Sequence, residues 1–80
     1  MKVWVLAICN VDGNCVPSVF SSKEKALVGS KEYYQEVIEG IEECGAEYDA
    51  KFHEKTGHWD ITNFTENNQI GGEIYPIEVQ

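Results

Sequence analysis

The chain opens with apolar residues on both alternating faces: Val3, Val5 and Ala7 on one, Trp4, Leu6 and Ile8 on the other. A strand apolar on both sides is usually central and covered twice, so residues 2–9 read as an inner strand. Val11-Asp12-Gly13-Asn14 follows, and Asp-Gly suits the positive φ of a two-residue type I′ hairpin turn. Residues 15–20 return as a second strand. Pro17 cannot donate a ladder bond and favours a sheet edge. Ser21-Ser22-Lys23-Glu24-Lys25 then opens a helix, with Ser21 and Glu24 as a capping box. Ala26, Leu27, Tyr34, Val37, Ile38 and Ile41 recur at helical spacing as far as about Cys44, and Gly45 caps the end. Gly29 and Gly40 weaken the interior, each by roughly 1 kcal/mol against Ala, and a break into two helices near Gly29-Ser30 fits the pattern as well.

The second half alternates like a meander. Glu47 to His53 sets Tyr48, Ala50 and Phe52 against polar neighbours. Lys55-Thr56-Gly57 is a turn, and His58 to Phe64 carries Trp59 and Ile61 on one face. Thr65 to Gly72 reads as a polar loop, and Glu73 to Val79 as a last strand. Trp4, Phe20, Tyr34, Phe52, Trp59 and Tyr75 fall mostly at core positions, and adjacent Tyr33 and Tyr34 cannot both do so. The predicted fold class is α+β: one domain over residues 1–80, a single antiparallel sheet in the order β-β-α-β-β-β, and one long helix packed on one face.

Lys2-Val3-Trp4-Val5 and Val19-Phe20-Ser21-Ser22-Lys23-Glu24-Lys25-Ala26, about a third of the chain, resemble a group of small bacterial and phage proteins. In that group a hairpin precedes a helix opened by the same Ser-Ser-Lys-Glu signature. The resemblance implies the hairpin-and-helix start and a phage or bacterial origin. The group has no assigned activity, so it implies no site.

Charge changes the picture more than composition does. The 80 residues carry 14 acids against 6 bases, a formal net charge of −8. All six bases are lysine. Without arginine there is no guanidinium fork for phosphate or guanine, and without a basic footprint direct nucleic-acid binding is not expected. No apolar run approaches the roughly 18 residues of a membrane span. The apolar start is short and lacks a small-residue cleavage site, so it reads as a strand of the mature protein rather than an export signal. The expected compartment is the cytoplasm, that of the host bacterium if the chain is phage-encoded. Cys9, Cys15 and Cys44 are odd in number and lack metal-ligand spacing, so buried reduced thiols are expected.

The acids are unevenly placed. Glu32, Glu36, Glu39 and Glu43 follow the i, i+4, i+7, i+11 rule and line one helix side, and Glu42 and Glu47 extend it. Like charges four apart repel, and acids in the last turn oppose the helix dipole. The four carboxylates span roughly 16 Å of helix, over which a nucleic-acid strand presents several phosphates. One reading is a decoy for a basic groove on a partner protein, and the other is a solvated face that keeps a small chain soluble.

Other chemistry is sparse. His53 and His58 flank one turn and could meet across a hairpin, but nothing fixes a metal geometry. There is no nucleophile elbow, phosphate-binding glycine loop or His-Glu-x-x-His, and no enzyme activity, catalytic residue, metal or cofactor is expected. The leading expectation is a small acidic interaction protein, phage or mobile-element encoded. It would bind and inhibit or modulate a host defence or nucleic-acid-handling protein that has a basic surface. The alternative is a small-ligand module with its pocket at a homodimer interface. One helix cannot cover both apolar sides of the first strand, so a homodimer through the uncovered sheet face is a further expectation. A module with no dedicated partner is the third.

Overall fold

The computed structural model describes residues 1–80. It contains β1 (Lys2–Asn10), β2 (Cys15–Phe20), α1 (Lys23–Glu43), β3 (Tyr48–Phe52), β4 (Trp59–Asn63) and β5 (Asn68–Glu78). All strand pairs are antiparallel in one sheet of order β2-β1-β5-β4-β3, so the fold is α+β as the periodicity predicts. Pro17 lies on an edge strand, where its missing N–H breaks no inner ladder.

The first turn differs from the two-residue loop. Asn10 N–H donates to the Asn14 carbonyl at 3.0 Å, and Gly13 N–H to the Asn10 carbonyl at 3.1 Å. Gly13 has φ +83°, so Val11-Asp12-Gly13 forms a three-residue loop ending in the left-handed region. The Asn10 side-chain oxygen also accepts from the backbone N–H groups of Asp12 and Asn14, which stabilises this longer loop. One extra residue shifts the register so that Cys9 stands opposite Cys15, not opposite Val16.

The helix is one piece of 21 residues. Its N-cap is Ser22, not Ser21: the Ser22 hydroxyl accepts from Lys25 N–H at 3.2 Å. Position N3 is thus Lys25, which has no carboxyl to complete a capping box, and Ser21 instead accepts from the Lys25 ammonium. Gly29 does not break the helix, because the Phe20 ring lies over it and an added Cβ would sit 2.6 Å from Phe20 Cζ. At the C-terminus Gly45 N–H donates to the Glu42 carbonyl and Ala46 N–H to the Ile41 carbonyl, with Gly45 at φ +68°. This is the Schellman arrangement, which needs a left-handed residue.

The predicted loop at 65–72 is shorter than expected. Asn68 to Gly72 belong to β5, paired with both β1 and β4. The turn is only Phe64–Asn67, with Asn67 at φ +53°. Gly72 lies in the strand because the Trp59 indole occupies the space its side chain would need.

Register divides the sheet positions into two sets. One holds Trp4, Leu6, Ile8, Phe20, Ile74, Trp59, Ile61, Ala50 and Phe52, and the other Val3, Val5, Ala7, Cys9, Val19, Asp60, Glu73, Tyr75 and Ile77. The core cluster joins Ala26 of α1 to Leu6, Ile8, Trp59, Ile61 and Ile74, all from the first set. Tyr34 meets Phe52 at 5.1 Å and Trp59 at 5.5 Å between ring centroids. Burial raises the Tyr34 phenol above its ordinary pKa, with smaller contributions from Tyr48, Asp60 and Asp49. Tyr33 leaves the core as expected, half-exposed and stacked near Trp59. Of the aromatics that fall mostly at core positions, Tyr75 is the exception: the alternation of the last strand sets it opposite to buried Ile74, in the second set and exposed.

Candidate functional site

The acidic side of α1 follows from where its apolar residues go. Ala26, Ser30, Tyr34, Val37, Ile38 and Ile41 are buried or half-buried, which turns Glu32, Glu36, Glu39 and Glu43 to the far side of the helix. These four, with Glu42 and Glu47, are all exposed. No cation lies within 4.0 Å of any of the six. Lys31, the one base nearby, is 3.3 Å from Glu54 instead. The last helical turn contains no base to offset Glu42 and Glu43. Glu32, Glu36, Glu39 and Glu43 thus share one exposed, unpaired helix side, whereas Glu42 is turned to its flank and Glu47 lies beyond the C-terminal cap.

A second feature is a hollow of about 580 Å³ on the other set of sheet positions. Ala7, Cys9, Asp60, Gly71 and Glu73 of that set line it together with Trp59, Gly72 and the hairpin residues His53, Thr56 and His58. Gly71 has no side chain to fill it, and Asp60 and Cys9 are its neighbours across the ladder. His53 and His58 do meet at one hairpin end, where His53 N–H donates to the His58 carbonyl at 2.8 Å. The half-buried His58 ring lies 3.3 Å from the Ile74 carbonyl through Nε2. No group of three or more histidines, cysteines or carboxylates converges with metal-binding geometry. This hollow escapes a sequence reading that treats residues 65–72 as a loop. The alternation Gln69, Gly71, Glu73, Tyr75 is the signal that would have extended the strand.

The cysteines depart from three buried thiols. Cys9 and Cys15 form a disulfide across the first hairpin, and Cys44 is free and exposed. The three-residue loop is the cause, since it sets the two residues opposite each other with Cα atoms 4.1 Å apart. Buried Trp59 holds the one enclosed side-chain polar atom without a partner, its indole N–H against Gly72.

No helix is long and apolar enough to cross a membrane. No protein-family model matches the chain, and neither a curated protein nor a solved structure matches it.

Proposed function

We propose that the chain is a small acidic interaction protein whose exposed helix side docks on a basic surface of a host protein and inhibits or modulates it. In this reading α1 covers one face of the sheet with its apolar side and offers the partner its acidic side. The carrying observation is the set of six exposed carboxylates without a single cation partner. Such a surface costs helix stability through like-charge repulsion and an opposed dipole, and returns nothing to the fold. Four of its charges run along roughly 16 Å of rigid helix, which matches the reach of several phosphates. A protein that handles nucleic acid, in defence or transcription, carries the complementary potential, and association with it would be steered and salt-sensitive. The resemblance of the first third of the chain to small bacterial and phage proteins agrees with such a host-directed role. The test is affinity capture from host lysate at low and high salt, comparing the native chain with the Glu36→Gln, Glu39→Gln, Glu43→Gln triple variant. A host protein held by the native chain at low salt and lost by the variant supports the reading. Equal capture by both refutes it.

A second reading is favoured by the hollow. Its volume lies within the range of small-ligand sites, and two histidines and two acidic residues are among those that line it. A small-ligand module predicts a rise in melting temperature with the right ligand. A screen of nucleotides and metabolites that shifts nothing counts against it.

A further inference from the structure

The second set of sheet positions carries an apolar block across three neighbouring strands. Val19, Val5 and Tyr75 stand side by side on β2, β1 and β5. Val3 and Ile77 flank this row on one side, Pro17 and Ala7 on the other. Val5 at the centre is 5 % exposed, whereas Val19 is 65 % and Tyr75 and Ile77 are each 42 % exposed. None of these seven residues is charged, in a chain of net charge −8. Glu73 borders the block beside Ala7, while Asp49, Lys51 and Asp60 of the same set lie further out on β3 and β4.

We propose that a second copy of this chain covers the block, sheet against sheet, about a two-fold axis running along β1. Such an axis exchanges β2 with β5, so the row Val19–Val5–Tyr75 meets itself reversed. Tyr75 of each copy then rests on Val19 of the other, the reciprocal pairing that an isologous interface requires.

Charge selects this occupant. The same exchange sets Glu73 over Pro17 rather than over another carboxylate. It carries Asp49 and Asp60 past the partner's β2 edge into water, because β4 and β3 have no counterpart beyond that edge. The acidic helix sides point away from the contact. With sheets about 10 Å apart and a helix layer of about 10 Å outside each, the two stripes are separated by several Debye lengths of about 8 Å at physiological salt. The net charge therefore does little to oppose association. A basic partner, which the rest of the surface attracts, finds no carboxylate inside the block to pair with. An uncharged aliphatic and aromatic surface complements another of its own kind, and a domain of 80 residues, with its thin core, gains stability from covering it.

The test is molar mass in solution by sedimentation equilibrium at physiological salt, over a range of protein concentrations. The native chain is expected to reach twice its 9.0 kDa at the high end. Val19→Asp and Tyr75→Lys alter exposed positions, so each keeps the circular dichroism of the native chain and each sediments at 9.0 kDa alone. Mixing the two variants restores the doubled mass, because the new charges face each other. Val28→Asp, on an exposed helix position away from the block, leaves the dimer intact. A native chain that stays at 9.0 kDa throughout overturns the proposal. So does a dimer that survives both Val19→Asp and Tyr75→Lys, or a mixture of the two that remains monomeric.

Discussion

The hydroxyl of Ser30 donates to the carbonyl of Gly57 at 2.6 Å, joining the middle of α1 to the turn between β3 and β4. Ser30 is the buried polar side chain of the helix, and the bond satisfies it. Gly57 has φ +74°, and Leu27 and Ile74 occupy the space a side chain would need. Ser30→Ala leaves the Gly57 carbonyl without that partner and should cost about 1–3 kcal/mol. Gly57→Ala adds a steric clash to an unfavourable backbone and should cost more. Urea unfolding followed by circular dichroism checks both. Losses within about 0.5 kcal/mol would show that the bond does not hold helix and sheet together.

The acidic helix end should be improvable. Replacing Glu42 and Glu43 by Gln removes two charges that oppose the helix dipole and one half of the Glu39–Glu43 repulsion. Each change should raise stability by a few tenths of a kcal/mol at low salt, and the gain should fade as salt is added. Melting curves at two ionic strengths measure it. A stability loss would mean that these carboxylates have structural partners in solution.

How much of this was legible in the residues differs by feature. All six elements follow from periodicity, because the apolar residues of β1, α1 and β4 repeat at the spacing of the face they bury. The departures occur where a side chain competes with a simple turn rule. Asn10 bonds two backbone N–H groups and lengthens the loop that Asp12-Gly13 alone would close in two residues. Ser21 and Ser22 are equivalent as caps by type, and only the path of the chain after Phe20 decides between them. Gly71-Gly72 looks like a loop until Trp59 is known to lie on Gly72, a contact 13 residues away. The acidic surface was legible because it depends on helical spacing alone. The hollow was not, because it depends on which strands become neighbours.

Alkaline pH should weaken the fold through Tyr34. Burial among Trp59 and Phe52 raises its pKa above the ordinary value of about 10. The unfolded phenol therefore ionises first, and above about pH 10 the folded state holds more protons than the unfolded one. The stability tied to Tyr34 is full below that value and declines as pH rises past it. Tyr34→Phe should flatten this decline relative to the native chain. Identical stability–pH curves for the two proteins above pH 10 would assign the alkaline sensitivity elsewhere.

The Cys9–Cys15 bond closes a short loop of the chain, with a sequence separation of 6. Limiting the unfolded state in this way contributes about 2 kcal/mol. Reduction, or a Cys9→Ser, Cys15→Ser double variant, should lower Tm by roughly 10 °C while leaving the helix signal intact. Mass spectrometry of the alkylated native chain should find only Cys44 labelled before reduction. Labelling of all three cysteines would show that the hairpin is held by its ladder and turn alone.

The proposed docking of α1 on a partner is tested most directly by the salt dependence of binding to any protein that the chain captures. The dissociation constant would be measured across a salt series for the native chain and for the Glu36→Gln, Glu39→Gln, Glu43→Gln variant. Binding by the native chain should weaken steeply with salt, and the variant should bind more weakly at low salt with a shallower slope. The same slope and affinity for both proteins would contradict docking through the acidic helix side and leave those carboxylates with solubility as their role.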